Sequence, residues 1–598
     1  MFAEPLNPAR NYVAIAIGID LGTTNSCAAV MESGHPRVIT TGDGSTAVPS
    51  VFAIDAEGQE LVGEAARVQA QDNPTGTVQA AKRLIGRNFH SKSINETRQI
   101  FTYEMVEGHN EEVLVQVQEQ LYTLEQISAA ILSRVKDVAE HNIQGKVKQT
   151  VITVPAYFNE RQRASVREAG RMAGFEVLRI LNEPTAAALA YGHGQQLNQR
   201  VAVYDLGGGT FDISIIDIEG RVYEVVATGG DTFLGGVDFD DRLMKYVLED
   251  FHTKNGVDLS FNRVAIQRIR DAAEAAKIAL STHDAAHIQL ENITDSRNGP
   301  LDVDLTISRA QLEQLTVDLV KRTISTCRRI MQEAGTSPDE IHEFLMVGGQ
   351  SRMPLVHRAV TQMMGRPPNQ ALDPEQAVSL GAAIMAHAVR RPAQSQITLR
   401  DVLPIPIGLR GAEDKMHVLF DKQCRLPARQ HRTLTTSRDG QRSIMLKIYQ
   451  GEHELVDQNV LIGTFVFSGI RIGAAGTVGL EVAMDLNAEG YLKITARDPS
   501  TNDQVQTKIR FDPNGRPPKP VKRVRRPMQP NTPEPDEPIE DDLLPPGMPP
   551  IPLAMPTSTL VEEIEGEHEG FGAIDIQLGN DASPPSLWRR FSRLLGRS

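Results

Sequence analysis

Two apolar, strand-like runs far apart in the chain end in the same tripeptide, and that repetition constrains the fold more than any other feature. The first is Ile17-Gly18-Ile19-Asp20-Leu21-Gly22-Thr23-Thr24-Asn25-Ser26; the second is Val201-Ala202-Val203-Tyr204-Asp205-Leu206-Gly207-Gly208-Gly209-Thr210-Phe211-Asp212. After each glycine turn the chain returns to a strand pattern, Cys27-Ala28-Ala29-Val30 in one case and Ile213-Ser214-Ile215-Ile216 in the other. Each copy therefore reads as a β-hairpin whose tip presents backbone N–H groups and hydroxyls. Glycine lets the backbone approach an anion closely, and nests of N–H groups hold phosphate oxygens. The aspartates at the strand ends, Asp20 and Asp205, suit a hydrated Mg2+ between two lobes. A P-loop needs GxxxxGK followed by Ser or Thr, and the chain has none. A Rossmann fingerprint needs a helix after its glycines, whereas here a strand follows. The pattern predicts a duplicated α/β fold closing on a nucleotide.

At 598 residues the chain exceeds a single core, and usual domain sizes suggest roughly three to five units. The net charge of −14 disfavours a nucleic-acid partner. Cys27, Cys327 and Cys424 are scattered and lack CxxC spacing, which argues for a reducing compartment and against disulfides or zinc. The opening MFAEPLNPARNYV has no basic region followed by an apolar run, so no signal peptide is expected. The longest apolar stretches are strand-sized, and the expectation is a cytoplasmic protein. After an N-terminal extension at 1–12, residues 13–392 alternate strands with amphipathic helices, among them Glu160 to Ala173 and Ile266 to Ser281. A linker at 393–402 leads to 403–512, where short alternating runs lie between turns such as Asp439-Gly440 and Glu489-Gly490, predicting an all-β domain. A Pro-rich, charged stretch at 513–585 predicts a disordered tail, and helical periodicity returns at 586–598.

The segments IGIDLGTTNS, VPS at Val48 to Ser50, AAKRLIGRNF, VITVPAYFNE, NEPTAAALAYG, YDLGGGTFDISI, GDTFLGG and LMVGGQSRMP follow one another across most of residues 14–390. In that order they resemble the seventy-kilodalton heat-shock chaperone family; Asn25 after the threonines looks like the bacterial, DnaK-type branch. Actin and sugar kinases share only the phosphate hairpins. The resemblance implies an actin-like ATPase domain followed by a β-sandwich that binds unfolded, hydrophobic polypeptide segments, with ATP/ADP, Mg2+ and K+ as ligands. It implies that Gly22, Thr23, Thr24 and Asn25 line one side of the phosphates, and Gly207, Gly208, Gly209 and Thr210 the other, with Gly235 and Gly236 beside them. Asp20 and Asp205 would hold magnesium waters, and Asp212 would lie near potassium. Lys82 would contact the γ-phosphate and the attacking water, with Glu183, Asp205 and Thr210 beside the chemistry. That agrees with phosphoryl transfer as positioning plus charge stabilisation. Glu183 precedes Pro184 and also reads as a cap of the Ala-rich helix. Glu274, Lys277 and Ser281, at i, i+3 and i+7, would hold the adenosine with Gly348, Gly349, Arg352 and Glu375. Members of the family commonly carry arginine where this chain has Ile278; its loss removes half of a cation–π clamp and predicts weaker nucleotide binding. Phe233 and Val237 replace the family's usual His and Glu.

In the β-domain the resemblance implies a peptide groove lined by Leu409, Leu434, Ile444, Leu446 and Ile470, beneath a small arch of Ala412 and Ser437. Extended peptides are held by backbone pairing plus apolar pockets; an ordinary sandwich core is the plainer reading of the same residues. Prolines from Pro513 onward predict that the family's helical lid is absent, so bound peptide should exchange fast. In the linker, Thr398 and Arg400 stand where leucines are usual, forfeiting roughly 3–6 kcal/mol of burial and predicting weak interdomain coupling.

Tyr157, Asn159, Arg179 and Asp401 match positions at the family's J-domain interface, and Pro155 with Arg163 its conformational relay; a nucleotide exchange factor is the other implied partner. Three functions compete at this stage: an ATP-dependent chaperone, a nucleotide-gated scaffold recruited through its tail, and a small-molecule kinase, against which the appended β-domain speaks. In the last segment, Leu587, Trp588, Phe591, Leu594 and Leu595 share one helical face, opposite Arg589, Arg590, Arg593 and Arg597. So short a helix is marginal alone, below ~12–15 residues. It predicts docking on an anionic membrane surface, into a partner's groove, or back onto acidic residues such as Glu562.

Overall fold

The computed structural model describes residues 15–98, 100–109, 111–297, 299–500 and 506–510, with the backbone alone at 394, 412 and 506–510. The extension at 1–12, the arch side chain of Ala412, the tail at 513–585 and the helix at 586–598 lie outside the described residues.

The duplicated tripeptide marks a duplicated sheet. Strand Ile15–Leu21 runs antiparallel to Asn25–Glu32 and parallel to Val147–Val154. Strand Asn198–Leu206 likewise runs antiparallel to Phe211–Glu219 and parallel to Glu343–Val347. The central strands are nearly continuous apolar runs because helices cover both sheet faces. Two of those helices, Glu183–Gly192 and Ala377–Arg390, pack on each other. A Cβ on Gly381 would collide with the backbone oxygen of Ala186, and one on Gly18 with the backbone of Ala383. Small residues thus let two helices and a strand of the first lobe meet backbone to backbone at the join between the lobes. The helix expected from Glu160 runs Glu160–Met172, started by a capping box: Asn159 accepts from the Gln162 N–H at 2.9 Å and the Gln162 side chain returns to the Asn159 N–H at 3.1 Å.

The β-domain pairs the sheet Met416–Phe420, Ile407–Arg410, Ser443–Gln450, Val460–Ser468 and Gln506–Arg510 with a second sheet of Ala428–Thr435, Gly479–Leu486 and Leu492–Arg497. Alternate residues of both point into one core around Phe467, Leu480 and Ile448, which are fully buried.

The linker docks on the second lobe despite its polar residues. Thr398–Arg400 adds a parallel strand to Val222–Asp231, pairing Thr398 with Val222 and Arg400 with Glu224. Ile397 and Leu399 pack against the core, while Thr398 and Arg400 face outward, Arg400 making an ion pair with Glu224 at 3.0 Å. The two polar replacements therefore occupy the solvent side of the strand, where a leucine would bury little, and the loss of burial predicted from the sequence does not arise in this arrangement.

Beyond the linker, the β-domain rests on both lobes. Gln423 accepts from the Thr228 N–H at 3.1 Å and donates to the Thr228 carbonyl at 2.7 Å, reading the free edge of the strand the linker has joined. Lys422 bridges Glu333 and Glu452 at 3.6 and 3.2 Å. Arg167 pairs with Glu489 at 2.5 Å and donates to the Tyr491 hydroxyl at 3.0 Å. At this seam burial pushes the Glu160 carboxyl up to about 7, with Glu489 adding to the effect and Arg163 and Arg167 opposing it. A carboxyl whose docked pKa lies above its free value opposes docking while ionised. Docking is thus penalised as pH rises through about 7 and relieved below it. Small-angle scattering between about pH 6 and pH 8 is expected to report expansion of the wild type at the higher pH and a flatter profile for Glu160→Gln; equal profiles would rule Glu160 out.

Candidate functional site

A cleft of about 870 Å³ lies between the two lobes, and both glycine turns open onto it. Asp20, Gly22, Thr23, Thr24 and Asn25 line it from one side, and Asp205, Gly207, Gly208, Thr210 and Gly236 from the other. The tips face each other closely: a Cβ on Gly208 would collide with the Thr24 hydroxyl, and one on Gly209 would press on Thr23 and Arg83. Gly235 packs behind Gly209. The Gly236 N–H donates to the Gly207 carbonyl at 2.9 Å and the Val237 N–H to that of Gly208 at 2.8 Å, which braces the second tip from behind.

Lys82 enters from the short turn Ala81–Arg83, preceded by Ala80 in the left-handed region at φ 54°. A non-glycine residue held there is strained, a feature that collects at working sites. Lys82 Nζ lies 2.5 Å from Glu183 Oε1, both side chains being almost fully buried. Burial by itself lowers the lysine pKa, yet Glu183, Asp20 and Asp205 hold it above its ordinary value, so the ammonium stays charged. Glu183 is the first residue of its helix, with Asn182 at the cap. The carboxylate is thus free to face the cleft, and the capping role read from the sequence belongs to the residue before it.

Four carboxylates surround this one lysine, three of them buried and Asp20 half-buried. Burial, then Glu183, pushes Asp20 up to about 7. Burial, Glu183, Asp212 and Asp20 push Asp205 well above its usual range. Asp212 lies opposite Asp205 in the hairpin, and burial with Glu183 pushes it up to about 8. One Asp212 oxygen accepts from the Tyr157 N–H at 3.2 Å; the other, Oδ2, has no hydrogen-bond partner. A buried carboxylate oxygen without a donor calls for a cation or water. Among the described residues no three His, Cys, Asp or Glu side chains gather as a metal cage. Asp20, Asp205 and the unpartnered Asp212 oxygen offer the carboxylate oxygens that a hard cation such as Mg2+ would need.

The residues expected to hold adenosine, Glu274, Lys277, Ser281, Gly348, Gly349, Arg352 and Glu375, all line the cleft. The helix runs Arg263–Ala279, so Ser281 lies just past its end. Lys277 pairs with Asp240 at 2.8 Å, which fixes it under Gly236. Ile278 is 61 % exposed and lines the cleft as an apolar shelf, while Arg352 is held by Asp373 at 2.9 Å and Glu375 at 3.6 Å.

The sequence matches the family described as Hsp70 protein over residues 16–537. The chain belongs to the Hsp70 family. It is accordingly an ATPase and an ATP-dependent chaperone for unfolded polypeptide segments.

In this Hsp70 the remaining expected residues fall in two places. Leu409, Leu434, Ile444, Leu446 and Ile470 come together, but as part of the sandwich core at 2–6 % exposure, with Ser437 exposed at its rim. The relay positions meet at the seam between lobe, linker and β-domain. Arg163 donates to the Phe158 and Ala156 carbonyls at 3.1 and 3.0 Å and to Asn182 at 2.6 Å; Asn182 in turn donates to Asp401 at 2.8 Å. Pro155 is buried beside them, Arg179 lines the same small cavity as Asp401, and the Tyr157 hydroxyl reaches Glu452. Sequence reasoning missed Gln423, Arg167, Glu489 and Glu160, whose partners are 195 to 324 positions away or touch them only after docking. The one local sign is the left-handed backbone of Gln423 at φ 62°.

Lys82→Ala is expected to leave ATP binding in place and to reduce single-turnover hydrolysis by roughly 100-fold or more, the scale for one lost charge-stabilising donor. Wild-type hydrolysis by that variant would remove Lys82 from the chemistry.

Proposed function

We propose that this Hsp70 hydrolyses ATP between the paired hairpins and passes the outcome to its β-domain through the docked linker strand. Lys82 and Glu183 act at the γ-phosphate; Asp20 and Asp205 would hold Mg2+ through water, and Asp212 would lie near K+. Mg2+ would supply charge neutralisation of the phosphates; the chain's own share is to orient the nucleotide, exclude water and keep Lys82 charged. The observation that carries the reading is the buried Lys82–Glu183 pair beneath two facing glycine tips. The continuity of Thr398–Arg400 with the second-lobe sheet supports the transmission step.

Leu409, Leu434, Ile444, Leu446 and Ile470, with the Ala412/Ser437 arch, form the peptide site when the sandwich opens. A J-domain protein engages Tyr157, Asn159, Arg179 and Asp401, since these meet where lobe, linker and β-domain join and Pro155 and Arg163 lie directly behind. An exchange factor, the bacterial-type assignment, the lack of a lid and a cytoplasmic location complete the proposal. An unfolded hydrophobic peptide and a J-domain should each raise steady-state ATP turnover severalfold. Turnover indifferent to both would favour the scaffold reading, which the closed apolar core of the β-domain supports.

Among the described residues no helix is long and apolar enough to cross a membrane. The basic segment at 586–598 is instead proposed to dock reversibly. At about 1 kcal/mol per basic residue, its four arginines would contribute roughly 4 kcal/mol at an anionic lipid surface. Vesicle co-sedimentation should fall on truncation after Pro585; equal partitioning would end the membrane reading and leave a partner's groove or fold-back onto acidic residues such as Glu562.

A further inference from the structure

Directly after Lys82, the side chain of Arg83 crosses from the first lobe to the second. It is 1 % exposed, and its Nη2 lies 3.0 and 2.9 Å from the two oxygens of Asp238. Its Nε and Nη1 have no hydrogen-bond partner. The guanidinium instead presents itself to the ring of Phe233, 5.1 Å from the centroid, and Arg87 approaches the same ring at 4.1 Å while donating to the Thr232 carbonyl. Two cations from one lobe therefore share one aromatic ring of the other, and the ring's π-electrons offset their mutual repulsion.

The loop that carries the ring is rigidly held. The Phe233 N–H donates to Asp231 at 2.9 Å, and Asp231 is paired with Arg322 at 2.5 Å. Three residues on, the Gly236 and Val237 N–H groups brace Gly207 and Gly208 of the phosphate hairpin. The ring is thus mechanically continuous with one side of the phosphate site, and Arg83 is covalently next to the lysine on the other.

We infer that Phe233 is a positioning residue, clamping Arg83 and Arg87 so that Lys82 is held in register with the glycine hairpin of the opposite lobe. The inference rests on Lys82 acting at the γ-phosphate. An uncharged ring does this at every pH.

The test compares Phe233→Leu, which keeps apolar bulk but removes the π-face, with Phe233→Tyr, which restores it. Single-turnover ATP hydrolysis by the full chain should slow roughly ten- to hundredfold in the leucine variant, the scale of a small misplacement at a reacting centre. The ATP dissociation constant should stay near wild type, and the tyrosine variant should recover the rate. Phe233→Met serves the same purpose if the leucine variant does not fold. A wild-type rate in the leucine or methionine variant, or a tyrosine variant as slow as they are, overturns the inference. Lys82→Ala run alongside separates the two readings: if it too hydrolyses normally, the role of Lys82 has failed, and if it alone is inactive, only the clamp has.

Discussion

The cleft is organised by an imbalance of charge. Glu183, Asp205 and Asp212 are buried, and Asp20 half-buried, around a single ammonium, that of Lys82. Removing ionised groups from water is costly unless they are paired, and one lysine cannot pair four carboxylates. The upward shifts of Asp20, Asp205 and Asp212 express that cost. A hydrated cation, with the phosphates it accompanies, would relieve that cost. The backbone-to-backbone meeting of Gly381 with Ala186, and of Gly18 with Ala383, holds this cluster together from below.

The seam with the β-domain is polar where the cleft is charged. Gln423 bonds both backbone groups of Thr228, Lys422 spans Glu333 and Glu452, and Arg167 joins Glu489 and Tyr491. Exposed ion pairs contribute little individually, so the seam gains its specificity from geometry more than from strength. That suits a contact that must form and release. Asn182 ties the two regions together: it stands at the N-terminal cap position of the helix that begins with Glu183, while its side chain links Arg163 to Asp401 at the end of the linker. Adjacent residues thus connect Glu183 to Asp401 at the end of the linker.

Local pattern carried far into this chain. The Asp-Leu-Gly hairpins, the capping box at Asn159 and the alternation in 443–450 were legible because each depends on neighbours within a few residues. Helix ends were less so: Ser281 falls beyond the helix that carries Glu274 and Lys277, and Glu183 begins a helix that it was expected to cap. The polar linker misled for a plain reason. Whether Thr398 and Arg400 cost burial depends on which face of a strand they occupy, and a three-residue strand has no periodicity long enough to reveal it.

By itself the sequence determined the duplicated lobes, the residue types around the phosphates and the change from α/β to all-β texture, since all of these follow from short-range periodicity and glycine placement. Only the tertiary structure decided which groups act together. Lys82 and Glu183 are 101 positions apart, Gln423 and Thr228 are 195 apart, and the Phe233 ring meets arginines from the opposite lobe. It also decided that Leu409, Leu434, Ile444, Leu446 and Ile470 pack inward as a closed core. The reason is physical: charge pairing and burial act through distance in space, and an apolar residue reads the same in sequence whether its pocket is open to a peptide or filled by its own neighbours.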